Sequence, residues 1–403
     1  MKWPAVRMGE HFRVKHGYAF KGEHFGSEGQ YVLLTPGSFH EEGGYRDQGE
    51  KTKFYTGDIP EGYILDEGDL LVAMTEQMAG LLGSSAWIPE GGRLLHNQRL
   101  GRVVDLDGRR LNKRFLYYLF NTRDVRSQIS ATATGGKVRH TAPERIAQVV
   151  FHRPPLDTQE RIAQVLSAYD DLIENNRRQM ALLEDAARQI YREWFVRLRF
   201  PGHEHTRVTN GLPEGWNRKT LADVAAVNRE SLPSSYDGEI DYIDISSVTP
   251  GSIDETTRYD FKDAPSRARR VVKHGDIIWS CVRPNRRSYA VIWQPPPHLV
   301  ASTGFSVITP TGLPTSFLLH ATTTDSFIGY LENHARGAAY PAVIAGDFER
   351  AEIVAPPESL VAAFNDQVEP MLSQTNTLRQ QNQRLRAARD LLLPRLMSGE
   401  VAV

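Results

Sequence analysis

Three short polar stretches in the first half of the chain carry side chains suited to planar hydrogen bonding. They are Thr75-Glu76-Gln77, Asn97-Gln98-Arg99 and Thr134-Gly135-Gly136-Lys137-Val138-Arg139-His140. The second half offers counterparts in Arg283, Asn285, Arg286 and Arg287, in Ser302-Thr303, and in Arg336-Gly337-Ala338-Ala339-Tyr340. Arg and Lys donors match paired acceptors such as guanine O6 and N7. Asn and Gln present a donor beside an acceptor, as adenine N6 and N7 require. Glycine in the third stretch lets a backbone approach phosphate closely. The expected contact set is Thr75, Gln77, Asn97, Gln98, Arg99, Lys137, Arg139, His140, Arg283, Asn285, Arg286, Arg287, Thr303, Arg336 and Tyr340.

Bond-making chemistry has no comparable set. Gly135-Gly136-Lys137-Val138 misses the phosphate-loop pattern, with Ala131 where its first Gly belongs and Val138 after the Lys. No Gly-x-Gly-x-x-Gly follows a strand, and neither Gly-x-Ser-x-Gly nor His-Glu-x-x-His occurs. The Asn-Pro-Pro-Tyr type of amino-methyltransferase motif and a Pro-Asp nuclease core are missing too. The one cysteine, Cys281, follows a strand pattern and reads as a small buried hydrophobe; it allows no internal disulfide and fits a reducing compartment. No metal site is expected. These absences point to a binding and assembly protein.

The net charge of −1 over 403 residues argues against a polycationic tail, but the charge is unevenly placed. Residues 93–153 hold thirteen basic residues against four acidic, and residues 258–287 hold nine against three. Such runs predict two separate anionic contacts, one in each half of the chain. The N-terminal Met1-Lys2-Trp3-Pro4-Ala5 opens no apolar signal-peptide segment, and no stretch approaches about 18 apolar residues. The expectation is a soluble, cytoplasmic chain.

The elements that must position these residues repeat. Pro154-Pro155-Leu156 recurs as Pro356-Pro357 and Arg114-Phe115-Leu116 as Ser316-Phe317-Leu318, both 202 residues on. Gly68-Asp69-Leu70-Leu71 recurs as Gly275-Asp276-Ile277-Ile278, 207 residues on, and Thr35-Pro36-Gly37-Ser38 resembles Thr249-Pro250-Gly251-Ser252. Order is kept while identity is low, as in a structural repeat. β-branched and aromatic runs predict strands at 62–65, 69–74, 240–245 and 276–280, and an amphipathic helix spans 112–127.

Each repeat ends in a long helix. Asp157, with Glu160 three residues later, suggests an N-cap. Ile162, Leu166, Tyr169, Ile173, Asn176, Met180, Leu183, Ala187, Ile190 and Trp194 follow a 4-3 alternation, and the helix is expected to run roughly 60 Å to near Phe200-Pro201. Adding 202 gives a second seam: Phe364, Val368, Met371, Thr375, Leu378, Asn382, Leu385, Arg389, Leu392 and Leu396. Pro370 is expected to kink that helix or delay its start, and Arg389 to interrupt the seam. The shared register predicts an antiparallel coiled coil between the two helices.

The expected fold is α+β, with two pseudo-repeated globules separated by the helix pair. Its parts are 1–153 (first globule), 154–200 (central helix), 201–212 (linker), 213–355 (second globule) and 356–403 (C-terminal helix).

The whole pattern resembles the specificity subunits of type I restriction–modification systems. The most typical stretches are Pro154-Pro155-Leu156-Asp157-Thr158-Gln159-Glu160-Arg161-Ile162-Ala163 and Leu392-Leu393-Pro394-Arg395-Leu396-Met397-Ser398-Gly399-Glu400-Val401; Pro356-Pro357-Glu358-Ser359-Leu360 is a weaker version lacking the Gln-Glu pair. The resemblance implies two target-recognition domains, each reading one half of a bipartite, asymmetric site in double-stranded DNA, and helices that set the spacer. It implies two adenine methyltransferase subunits carrying S-adenosylmethionine, motor-nuclease subunits using ATP and Mg²⁺ where restriction is part of the system, and no catalysis or cofactor on this chain. The alternative is a non-catalytic scaffold of another multi-subunit complex that reads no bases.

Overall fold

The computed structural model describes residues 3–77 and 80–403. The signal-peptide reading therefore rests partly on Met1 and Lys2, which lie outside the described residues. The chain divides into two compact units, Met1–Asn175 with Asn382–Val403, and Asn176–Gln381.

In the first unit an antiparallel sheet runs in the order Arg13–His16, Leu100–Val104, Leu70–Ala73, Ser85–Trp87. Leu70 to Ala73 are all fully buried because both faces of this strand are covered. Leu70 and Val72 enter a core with Phe115 and Phe120, and Leu71 and Ala73 enter another with Val32 and Leu94. The period-2 alternation of a strand sends successive side chains to opposite faces, which explains the unbroken apolar run. The expected strand at 62–65 is not one; Ile64 makes a single bridge to Leu95.

The second unit repeats this sheet as Ala225–Val227, Phe305–Pro310, Ile277–Ser280, Tyr289–Val291. Register is kept pair by pair. Leu71 faces Arg102 and Ala86, as Ile278 faces Val307 and Ala290. Val6 faces Phe151 on the strand leading into the first long helix, as Lys219 faces Ile353 before the second. One correction concerns Thr35-Pro36-Gly37-Ser38. It forms a 3-10 turn after the strand Tyr31–Leu33, and the matching turn after Glu239–Ile243 is Ile245–Ser247, capped by Asp244. Thr249 to Ser252 belong to the hairpin that follows.

The expected helix over 112–127 is two helices, Lys113–Phe120 and Arg123–Ala131. Asn112 caps the first, accepting from the Phe115 N–H at 3.0 Å; Thr122 caps the second and donates to the Leu119 carbonyl at 2.7 Å. Two local caps so close together outweigh the continuous apolar pattern.

The first long helix spans Leu156–Tyr191 and passes into a π turn, Arg192–Val196. Asp157 lies within its first turn rather than capping it, because Thr158 and Gln159 already donate to the Pro155 carbonyl. The second spans Glu358–Ser398 and neither starts late nor stops at Pro370. Pro370 is exposed, so the carbonyl it orphans can be hydrated, while Val368 and Met371 beside it pack inward.

Within each unit the two helices are antiparallel. In the first unit Asn382 donates to the Ile173 carbonyl at 3.2 Å and Arg389 pairs with Asp170; in the second Arg379 reaches Glu184 at 3.5 Å while Tyr191 packs edge-on against Phe364. The seam does not serve helix pairing alone. Ile162 and Leu166 join Phe115 and Leu116 in one core, and Phe364 and Tyr191 join Phe317 in the other, so each helix also anchors a globule. Arg389 does not break the seam: Asp170 takes its charge through one oxygen and the Tyr118 hydroxyl, at 2.6 Å, through the other.

Candidate nucleic-acid interface

In the first unit the three polar stretches meet at one residue, Met74, at the end of the central strand. Its N–H donates to the Arg99 carbonyl at 3.0 Å, and its carbonyl accepts the Thr141 N–H at 2.9 Å. Cys281 does the same in the second unit. Its N–H donates to the Gly304 carbonyl at 2.8 Å, and its carbonyl accepts the Val343 N–H at 2.9 Å. The backbone ladder thus gathers three loops at the same strand end twice. The Cys281 thiol lies 3.3 Å from the Ser306 hydroxyl, and burial pushes it above the ordinary thiol range, so it packs rather than reacts.

Of the first-unit residues, Gln77, Gln98, Arg99, Lys137 and His140 are exposed, and Asn97 and Arg139 are half-buried. Thr75 is a correction. It is buried in a two-residue strand against Arg139–His140, and its hydroxyl bonds His140 Nδ1 at 3.1 Å, leaving it positioning His140 rather than reaching outward. Glu76 is buried too. One carboxylate oxygen accepts the N–H groups of Gly80, Leu81 and Leu82, and the other pairs with Arg139 at 3.1 Å. Arg139 also donates to the Ser130 carbonyl at 2.6 Å. Two glycines shape these loops. A Cβ on Gly17 would meet the Asn97 carbonyl oxygen at 1.9 Å, and Gly135 holds φ +107° where a Cβ would meet the Val138 oxygen at 2.1 Å.

In the second unit Asn285, Arg286, Arg287, Thr303, Arg336 and Tyr340 are exposed, while Ser302 is fully buried and accepts the Gly304 N–H at 3.2 Å. Arg283 and Arg287 both adopt left-handed backbone, at φ 51° and 53°, around a 3-10 turn beginning at the buried Pro284. Arg287 pairs with Asp325 at 2.6 Å, and Arg336 lies 3.6 Å from the fully buried Asp347.

The two basic runs are less free than their composition suggests. Arg258 pairs with Asp241, Lys262 with Asp260, Arg267 with Asp244 and Lys273 with Glu230. Arg102 pairs with Asp69, and Arg126 donates to the carbonyls of Glu41 and Gly80. Acidic partners, several from distant sequence, thus neutralise part of each run. Lys137 and Arg286 remain exposed there. No group of three His, Cys, Asp or Glu that could hold a metal occurs among the described residues.

Residues 1–185 match the family model for the type I restriction modification DNA specificity domain. The chain is 24% identical over 328 residues to the type I restriction enzyme MjaIX specificity subunit of Methanocaldococcus jannaschii, covering 77% of this chain and 73% of that one. The chain is thus similar, over its first 185 residues and along most of its length, to the specificity subunits of type I restriction–modification systems. A second relative, the EcoBI specificity subunit of Escherichia coli, is 28% identical over 166 residues, covering 41% of this chain and 31% of its own. The crystal structure of a type I restriction–modification S subunit from M. genitalium shares the fold with a TM-score of 0.59 at 15% identity, covering 98% of this chain and 96% of that one.

Sequence patterns missed several residues that shape these loops. Tyr18 bridges Asn97 and stacks edge-on against Phe20 at 5.1 Å; the aromatic spacing of Tyr18 and Phe20 was its only signal. Arg145 donates to the Thr132 carbonyl and Thr134 hydroxyl, holding the base of the third loop. No helix among the described residues is long and apolar enough to cross a membrane.

Proposed function

We propose that this chain is the DNA sequence-specificity subunit of a type I restriction–modification complex, with each globule reading one half of a bipartite, asymmetric target. The observation that carries the reading is the repeated node at Met74 and Cys281, which gathers three polar loops at the same strand end in both units. Gln77, Gln98, Arg99, Lys137, Arg139 and His140 are the first contact group; Asn285, Arg286, Arg287, Thr303, Arg336 and Tyr340 are the second, with Arg283 behind Tyr340. Thr75 supports His140 from behind. Exposed Arg, Lys, Asn and Gln on glycine-bent loops supply both base-edge and phosphate contacts.

The long helices set the spacer between half-sites and dock two methyltransferase subunits. Those partners carry S-adenosylmethionine, and motor-nuclease subunits, where they join, carry ATP and Mg²⁺. This chain contributes recognition and no bond-making step, and it works in the cytoplasm. Partial neutralisation of the basic runs favours weak DNA binding by the isolated chain, with partners adding phosphate contacts. A scaffold that reads no bases is the less favoured reading, given the similarity to DNA specificity subunits.

The test is to purify the chain together with its neighbouring methyltransferase gene product and footprint DNA. Protection of one discontinuous sequence by the complex, and none by the methyltransferase alone, supports the proposal. Sequence-independent protection contradicts it.

A further inference from the structure

Glu76 and Arg283 occupy the same place in the two units. Each stands two residues beyond its node, beside the returning third loop: Glu76 opposite Arg139, and Arg283 opposite Pro341, whose carbonyl accepts its N–H at 2.7 Å. In the first unit the carboxylate pins Arg139. In the second the guanidinium lies 4.6 Å from the ring centroid of Tyr340 and donates from Nη2 to the Ala339 carbonyl at 3.1 Å. Three ties therefore hold the tip at 339–341, yet Tyr340 remains 69% exposed. An exposed tyrosine usually lies back on nearby apolar surface. This one is held out on a cation, with most of its ring in solvent. Its counterpart in the first unit is Val138, which has no planar face to offer.

We propose that Tyr340, positioned by Arg283, stacks on a base step of the half-site read by the second unit and partly unstacks it. This deepens the specificity reading and rests on it. A ring face stacks on any base, so the contact reads little through base edges. It selects through the cost of opening the step, which is low for flexible pyrimidine–purine steps. The second unit then reads shape as well as edges through this loop, where the first unit carries no ring at the matching position. Arg283 acts as a positioning residue, and its left-handed backbone at φ 51° fixes where the guanidinium stands.

The experiment uses the chain assembled with its methyltransferase partner and a duplex bearing the mapped target, with 2-aminopurine placed in turn at each step of the second half-site. Binding should raise fluorescence at one step for wild type, Tyr340→Phe and Arg283→Lys, and not for Tyr340→Ala or Arg283→Gln. Tyr340→Ala should bind about tenfold more weakly, with an unchanged salt dependence, since stacking releases no counterions. Wild-type binding without a fluorescence rise at any step overturns the proposal, as does Tyr340→Ala binding as tightly as wild type. A wild-type complex that binds target and unrelated duplexes equally overturns the specificity reading itself, which separates the two failures.

Discussion

Gln159 accepts the backbone N–H of Asn112 through Oε1 at 2.9 Å, tying the first long helix to the cap of a globule helix. Its Nε2 donates to the carbonyls of Arg110 and Pro154, each at 2.9 Å, and the side chain is fully buried. At the same point of the second long helix stands Val361, buried in an apolar core. The two units thus fix their helices by different means, one polar and one hydrophobic.

Truncating Gln159 leaves one donor and two acceptors unpaired. Gln159→Ala should lower stability by about 2–4 kcal/mol, since each unsatisfied buried group costs roughly 1–3 kcal/mol and some are rehydrated. Chemical denaturation of the chain, compared with a surface control such as Glu160→Ala, measures it. A loss no larger than the control's would show that the amide is not structural.

Arg389 is only 18% exposed at the side chain, and Asp170 carries both its charge and the Tyr118 hydroxyl. Removing Asp170 leaves Arg389 paired only with the more exposed Asp390, at 2.8 Å, and strands the Tyr118 hydroxyl, so Asp170→Ala should cost about 1–3 kcal/mol, whereas Asp170→Leu with Arg389→Met should recover most of that loss. Double-mutant denaturation checks it; additive losses would contradict the coupling.

Acid should destabilise both units through buried histidines. Burial lowers the pKa of His96 to about 4, and likewise that of His320 to about 4, against 6.5 for an unfolded histidine. Between these values the unfolded chain binds more protons, so stability rises with pH. The contribution is fully present above about pH 6.5 and is lost as pH falls toward 4, up to about 3 kcal/mol per histidine. Melting temperature against pH should therefore fall steeply from 6.5 to 4. His320→Gln should flatten the slope, and an unchanged slope would contradict the assignment.

Glu76 shapes only the first unit's loops. Glu76→Gln keeps much of the loop cap but releases the Arg139 charge, so it should weaken reading of one half-site by about tenfold and leave the other unchanged. Methylation kinetics on targets altered in one half at a time would show this. Equal losses at both halves would mean general destabilisation.

The α+β class, the long helices and their shared seam were legible because 3.6- and 2-residue periodicities are written directly in apolar spacing. Leu70 to Ala73 and Ile277 to Ser280 were visible for the same reason. The split at Thr122 was hidden because a local cap competes with an unbroken amphipathic pattern. Pro370 misled because tertiary packing of Val368 and Met371 outweighs one lost hydrogen bond. Glu76, Thr75 and Arg145 look like surface polar residues in sequence. Their burial or loop-holding roles depend on partners 60 residues away or on loop closure, which linear spacing does not encode. The neutralised basic run at 258–287 was opaque likewise, because Asp241, Asp244 and Glu230 reach it through the fold.

The central claim is that each globule reads one half-site independently. Exchanging residues 213–355 for the corresponding domain of another specificity subunit, assembling the complex and mapping methylated sites across a genome tests it most directly. One half of the recognised sequence should change while the other half and the spacer length stay fixed. Change in both halves, or in neither, would contradict it.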